Sequence, residues 1–201
     1  MNQTTAIILA GGKSSRMGTN KLLLKIGNEP VIKKIANLCK SNFEKTIIIT
    51  NSPEDYEWLN IKMYKDIFPN YGPLSGIHSG LKHSSTENNF VLSADMPFIN
   101  KEIIEFLFKR NSAKEIILPK SNNIIHSLCG IYKKNCVNKA EELLKIAEKE
   151  NTKLKKTKVK LYDLINALDT DIVDVSKEMF YHKDLFFNMN TLEDYNYVQN
   201  K

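Results

Sequence analysis

The chain predicts an α/β fold of three layers, with helices on both faces of a mainly parallel sheet, on three observations. Strand-like runs alternate with amphipathic, helix-like stretches through much of its length, the pattern of a crossover-connected sheet. Runs such as Ile47-Ile48-Ile49 are apolar at successive positions, as in strands covered on both faces. The first such run, Thr5-Ala6-Ile7-Ile8-Leu9-Ala10, stops at Gly11-Gly12 and enters a loop of small and cationic residues, Lys13-Ser14-Ser15-Arg16-Met17-Gly18-Thr19-Asn20-Lys21. On a sheet of this kind ligands bind outside the carboxyl ends of the strands.

In chain order the strands are read at Thr5–Ala10, Thr46–Thr50, Lys62–Lys65, Phe90–Ser93, Glu115–Pro119 and Ser127–Tyr132. The helices between them are read at Val31–Ser41, Pro73–Lys82, Lys101–Arg110 and Cys136–Glu150. Pro73 after Gly72 suits a helix start, where a missing N–H costs nothing. Thr191 and Asp194 form a capping box for a last helix. The lysine-dense stretch 149–160 reads as a helix end followed by a solvated charged segment. No internal repeat or low-complexity linker divides the 201 residues, and a single domain over 1–201 is expected.

Composition narrows the function classes. Hydrophobic residues make up 42% and charged residues 26%, the balance of an ordinary soluble globular protein. No apolar run reaches the length of a membrane span and no leader pattern opens the chain, so a cytoplasmic protein without membrane partner is expected. The net charge of +6 favours anionic ligands. Neither zinc-finger spacing nor an aromatic-basic RNA-binding pattern is present, and no nucleic-acid partner is expected. Cys39, Cys129 and Cys136 form no C-x-x-C pair, which implies inert thiols in a reducing compartment. His78, His83, His126 and His182 lack metal-ligand spacing.

The glycine loop is neither of the two common phosphate-binding fingerprints. Five residues separate Gly12 from Gly18, where a Walker A loop has four followed by Gly-Lys-Ser/Thr, and the adjacent Gly11 and Gly12 break G-x-G-x-x-G. Backbone N–H groups at these glycines, with Arg16 and Lys21 beside them, nonetheless suit a nucleoside triphosphate. Asp95, in Phe90-Val91-Leu92-Ser93-Ala94-Asp95-Met96-Pro97-Phe98, lies at a strand's carboxyl end, where a carboxylate near bound phosphates is a natural Mg²⁺ ligand. Asp66 precedes Gly72-Pro73-Leu74-Ser75-Gly76-Ile77, and Asn188 and Asn190 lie two apart, on one side of an extended segment.

Together these segments resemble the nucleotidyltransferases that activate sugars and cofactors, with their signature L-A-G-G-x-S-x-R-M-G-x-x-K. The Gly-Gly form and the later segments are most similar to the molybdenum cofactor guanylyltransferase family. The likeness runs from Ala6 to about Val198, with its tight motifs mainly before Phe98. It departs from the pattern at Leu192, where proline is usual, and its loop between Gly18 and Lys21 is one residue shorter than in many members.

The resemblance implies a Rossmann-like nucleotidyltransferase fold and transfer of GMP from GTP to molybdenum-molybdopterin. It implies Mg²⁺ at Asp95, catalytic roles for Lys21, Arg16 and Asp95, and nucleotide contacts from Leu9, Ala10, Gly11, Gly12, Lys21, Asp66 and Asp95. The family's nucleotide-binding asparagine falls at Thr50 or Asn51, a one-residue shift apart, and Asn51 is taken. Asn188 and Asn190 would serve the substrate. A monomer is expected, with molybdopterin-handling or molybdoenzyme-maturation proteins as further partners. The alternatives are a molybdopterin cytidylyltransferase, another sugar or cofactor nucleotidyltransferase, or a non-catalytic nucleotide-binding protein; the last would be expected to lack Lys21 or Asp95.

Overall fold

Ten strands and six α-helices occur among the residues described by the computed structural model, 3–11, 20–151 and 159–201. The strands are β1 (Thr4–Leu9), β2 (Lys25–Ile26), β3 (Glu29–Pro30), β4 (Lys45–Ile49), β5 (Lys62–Tyr64), β6 (Asn88–Ser93), β7 (Ile116–Ser121), β8 (Ile124–Ile125), β9 (Cys129–Lys133) and β10 (Thr170–Asp174). The helices are α1 (Val31–Asn42), α2 (Pro73–His83), α3 (Lys101–Lys109), α4 (Cys136–Asn151), α5 (Leu161–Ala167) and α6 (Leu192–Gln199). The main sheet runs β10-β7-β9-β6-β1-β4-β5, with β8 paired to β7, and β2–β3 form a separate hairpin.

The expected strands and helices all form, with ends moved by one or two residues. Sequence reading missed β2, β3, β8, β10 and α5. The four strands lie on a small hairpin or at a sheet edge and are largely exposed or half-buried, so they show no continuous apolar run, and α5 spans only seven residues. The sheet is mainly parallel, but β9 runs antiparallel between β6 and β7. After β7 the chain reverses through Asn122 and Asn123, both at positive φ (48° and 61°). A connection that short can only return antiparallel, whereas parallel neighbours need a crossover.

Helices cover both faces. The even-numbered β1 residues Ala6 and Ile8 pack with Ile48, Phe90 and Leu92 under α1 and α3. The odd-numbered Ile7 and Leu9 pack with Ile47, Ile49 and Val91 under α2, α4 and α5. Alternating side chains thus enter two different cores, which is why a central strand of this chain is apolar at every position.

Helix α2 lies unusually close to β1. A Cβ at Gly80 would sit 2.4 Å from Ile7 Cγ2, and one at Gly76 would sit 3.1 Å from Leu9 Cδ2. At its far end the Lys134 ammonium takes the carbonyls of Leu81, Lys82 and Ser84, satisfying acceptors that the last helical turn leaves open.

Gly80→Ala tests the close approach. Alanine should gain about 1 kcal/mol in helix propensity, but the clash with Ile7 should outweigh it and leave a net loss of about 1–2 kcal/mol. Urea unfolding should show the midpoint falling with the slope unchanged; a stabilised variant would contradict the packing argument.

Candidate active site

The site is built by strand register. Ser93 of β6, Leu9 of β1, Ile49 of β4 and Tyr64 of β5 are mutual neighbours across four parallel strands. Beyond that row the ladder continues for one step, through Ala94 N–H to Leu9 C=O (3.0 Å), Ala10 N–H to Ile49 C=O (2.9 Å) and Thr50 N–H to Tyr64 C=O (3.0 Å). Two residues past the row, the four strands deliver Asp95, Gly11, Asn51 and Asp66 side by side. Residues as far apart in sequence as Gly11 and Asp95 therefore share one edge because the hydrogen-bond ladder sets their level.

Asp95 is fixed from three directions. Ser93 donates its hydroxyl to Oδ1 at 2.6 Å, and Lys21 Nζ pairs with Oδ2 at 2.6 Å. Its carbonyl accepts Met189 N–H at 2.9 Å. Asp95 does not cap the following helix; Asn100 does, accepting Ile103 N–H at 3.2 Å. Lys21 also donates to Asn190 Oδ1 at 2.8 Å, so an ammonium, a carboxylate and an amide from three distant segments meet here. Sequence reading missed Ser93, although a serine two residues before a strand-end aspartate is the available signal.

On the other side of Gly11, Asn51 donates to Asp66 Oδ2 at 2.9 Å and its Oδ1 accepts Asp66 N–H at 3.2 Å. Asp66 Oδ1 is buried and has no hydrogen-bond partner among the described residues. Burial pushes the Asp66 carboxyl above its ordinary value, against the Asn51 amide and the nearby Ser75 hydroxyl. The Ser75 hydroxyl itself bonds to the Phe68 carbonyl. Thr50, the other candidate, is buried and its hydroxyl accepts Ser52 N–H at 3.2 Å, leaving Asn51 as the side chain on this edge. Gly72, at φ 63°, precedes Pro73 at the start of α2.

The Ala10 N–H serves the ladder, while the Leu9 carbonyl gives it one of two lone pairs. Asn188 and Asn190 do not share a partner: Asn188 donates to the Phe186 carbonyl at 3.3 Å, a local turn, and only Asn190 reaches Lys21. Gly12 and Arg16 lie outside the described residues. No group of three or more His, Cys, Asp or Glu residues is placed to hold a metal among the described residues. No helix among them is long and apolar enough to cross a membrane.

The segment carrying Asn190 is pinned from behind. The His126 ring stacks on Phe186 with centroids 3.8 Å apart and planes 10° apart, and Ser121 Oγ lies 2.8 Å from His126 Nε2. Met189 is fully buried with Val31 and Val198, and Thr191 and Asp194 form the expected capping box of α6.

A protein-family model, the MobA-like NTP transferase domain, matches residues 6–160. The chain belongs to the MobA-like NTP transferase family. It is similar over 97% of its length to a Clostridium perfringens strain 13 protein named "Probable molybdenum cofactor guanylyltransferase", at 39% identity and covering 96% of that protein. An Aquifex aeolicus protein of the same name is 32% identical, over 94% of this chain and 87% of its own. The crystal structure of molybdopterin-guanine dinucleotide biosynthesis protein A from Archaeoglobus fulgidus superposes with a TM-score of 0.78, covering 98% of this chain and 97% of that one. At 22% identity that likeness concerns the fold alone.

The histidines of this family member carry a pH consequence. Burial holds the His126 imidazole at about 4, below its ordinary 6.5, and burial lowers His78 and His83 as well. The unfolded chain then binds more protons than the folded one between about pH 4 and 6.5, so stability should rise with pH across that window and level off above it. His126→Phe, which keeps a stacking ring, should flatten part of this slope in denaturation curves collected from pH 4.5 to 7.

Proposed function

We propose that this chain transfers GMP from GTP to molybdenum-molybdopterin and releases pyrophosphate. The observation that carries the proposal is the meeting of Lys21, Asp95 and Asn190 at one end of a row that continues through Gly11 to Asn51 and Asp66. One end offers charge and hard oxygen to phosphates; the other offers hydrogen-bond acceptors and an amide to a base. The names of the relatives supply the base and the acceptor.

In this reading an oxygen of the acceptor's terminal phosphate forms a bond to the α-phosphorus of GTP. The bond from that phosphorus to the α–β bridging oxygen breaks, and pyrophosphate departs. The acceptor is itself the nucleophile, so the protein positions groups and offsets charge. Lys21 holds an ammonium against the transferring phosphate, and Arg16 adds a second cation from the glycine loop. Mg²⁺ fits the donor set, because it is commonly held by one or two carboxylates together with substrate phosphates and water. Asp95 would hold it through the oxygen that Lys21 pairs with here, the ammonium turning to the phosphate, with the other oxygen steadied by Ser93. When bound, that ion would neutralise phosphate charge.

At the base end, Asp66 and the backbone at Gly11 would accept the guanine N1–H and 2-amino donors, with Asn51 holding the Asp66 carboxylate in place. The exposed Asp66 Oδ2, held by the Asn51 amide at the strand end, supports this assignment. All of this falls within a single nucleotidyltransferase domain that works as a monomer in the cytoplasm, handing its product to molybdoenzyme-maturation proteins.

Two measurements test the reading. Lys21→Ala should lower kcat/KM by about 10²-fold or more, and Asp95→Asn should abolish most turnover with partial recovery at high Mg²⁺; near-normal rates in folded variants would remove these residues from the chemistry. The base test compares kcat/KM for GTP, ATP and CTP with molybdenum-loaded molybdopterin. GTP should be preferred, and a CTP preference would move the chain to the cytidylyl branch.

GTP binding should also depend on pH through Asp66. Guanine donors favour the ionised carboxylate, whose proton affinity is raised in the free protein. Affinity should therefore weaken as pH falls toward the raised carboxyl value, with proton release on binding at acidic pH. Asp66→Asn should remove that dependence in calorimetric titrations.

A further inference from the structure

The residue immediately before Lys21 is held by a side-chain cluster outside the roles described above. Asn20 Nδ2 donates to Asp55 Oδ2 at 2.9 Å and to Tyr56 Oη at 2.8 Å. Its Oδ1 accepts Leu22 N–H at 3.2 Å, capping the single 3₁₀ turn Lys21–Leu23, and the Tyr56 hydroxyl lies 3.2 Å from the same atom. Tyr56 is 2% exposed and belongs to the core beneath α1. Asp55 and Tyr56 follow Asn51 by only a few residues, on the turn Pro53–Asp55 and just after it. The cluster therefore joins the backbone that carries Lys21 to the segment that carries Asn51, across 35 residues of sequence.

A lysine side chain has many rotamers open to it, so where its ammonium sits depends on how firmly its backbone is anchored. We infer that Asn20, clamped by Tyr56 and Asp55, is a positioning residue that sets Lys21 against Asp95. The inference rests on the assignment of Lys21 to the transferring phosphate. The chemistry of the site calls for an amide in particular. Position 20 must donate to the Asp55 carboxylate and accept Leu22 N–H at the same time. Serine can supply the cap but has one proton to give where Asp55 and Tyr56 take two from the amide, and aspartate would face Asp55 with like charge.

The test is an exchange of the two groups. Asn20→Asp, Tyr56→Phe and the double exchange Asn20→Asp/Asp55→Asn are compared with wild type for kcat, KM for GTP and thermal midpoint. Asn20→Asp should lower kcat about tenfold while KM changes by less than about threefold, because a displaced Lys21 weakens the transition state more than ground-state binding. The exchange should recover kcat to within about threefold, because an amide at position 55 would then donate to the carboxylate at position 20. Tyr56→Phe should fall between.

A kcat for Asn20→Asp within twofold of wild type would overturn the inference. So would an exchange variant as slow as the single one, which would mean that a carboxylate at position 20 simply captures Lys21. Should Asn20→Asp unfold, Tyr56→Phe and the exchange variant still decide. Crystal structures give a readout independent of turnover: the Lys21–Asp95 contact, 2.6 Å here, should open in Asn20→Asp and close again in the exchange. Failure of wild type to use GTP would sink the guanylyl reading alone, leaving the clamp to be judged from that contact.

Discussion

The hydrogen-bond register of four parallel strands is the constraint on which the rest of this molecule depends. Because Ser93, Leu9, Ile49 and Tyr64 lie on one row, the residues two steps further along each strand emerge at one level. Side chains in a strand alternate, so a one-residue slip of any of the four would turn its contribution to the opposite face. The site is therefore specified by backbone pairing before any side chain of the site acts. That pairing is in turn held by two cores, one under each face, which the even and odd residues of β1 enter separately.

Close packing brings the helical layer to the same edge. Gly76 and Gly80 leave room for the Leu9 and Ile7 side chains of β1, so α2 settles closely onto the strand and its first turns lie beside the Asp66 carboxylate. The Asp66 carboxylate is consequently half-buried against that helix, which raises its proton affinity and leaves one oxygen without a donor among the described residues. A packing requirement in the core and an unmet acceptor in the site thus have one origin.

The opposite half of the site is closed by the last part of the chain. The stack of His126 on Phe186, the burial of Met189 and the Met189 bond to the Asp95 carbonyl bring Asn190 to Lys21. Lys21 itself stands between two anchors, the Asn20 cluster at its backbone and the Asp95–Asn190 pair at its ammonium. A long cation restrained at both ends has little freedom left to lose, which suits the role proposed above for Lys21 on the transferring phosphate.

Much of this was legible in the amino-acid sequence because it is local. Apolar runs ending in Gly11 and in Ala94-Asp95 mark strands and their carboxyl ends, and Gly72-Pro73 and Thr191 with Asp194 mark helix starts, since each rests on neighbouring residues. The sequence by itself determined the layer class, the residue types at the site and the family resemblance that the comparisons bear out. Only the tertiary structure decided which groups meet. It turned β9 antiparallel, kept Ala10 N–H for the ladder, sent Asn188 to its own turn and Asn190 to Lys21, and placed Ser93 and Asn20 as supports. Those outcomes depend on register and on contacts between segments up to 169 residues apart, and no local pattern encodes a distance of that kind.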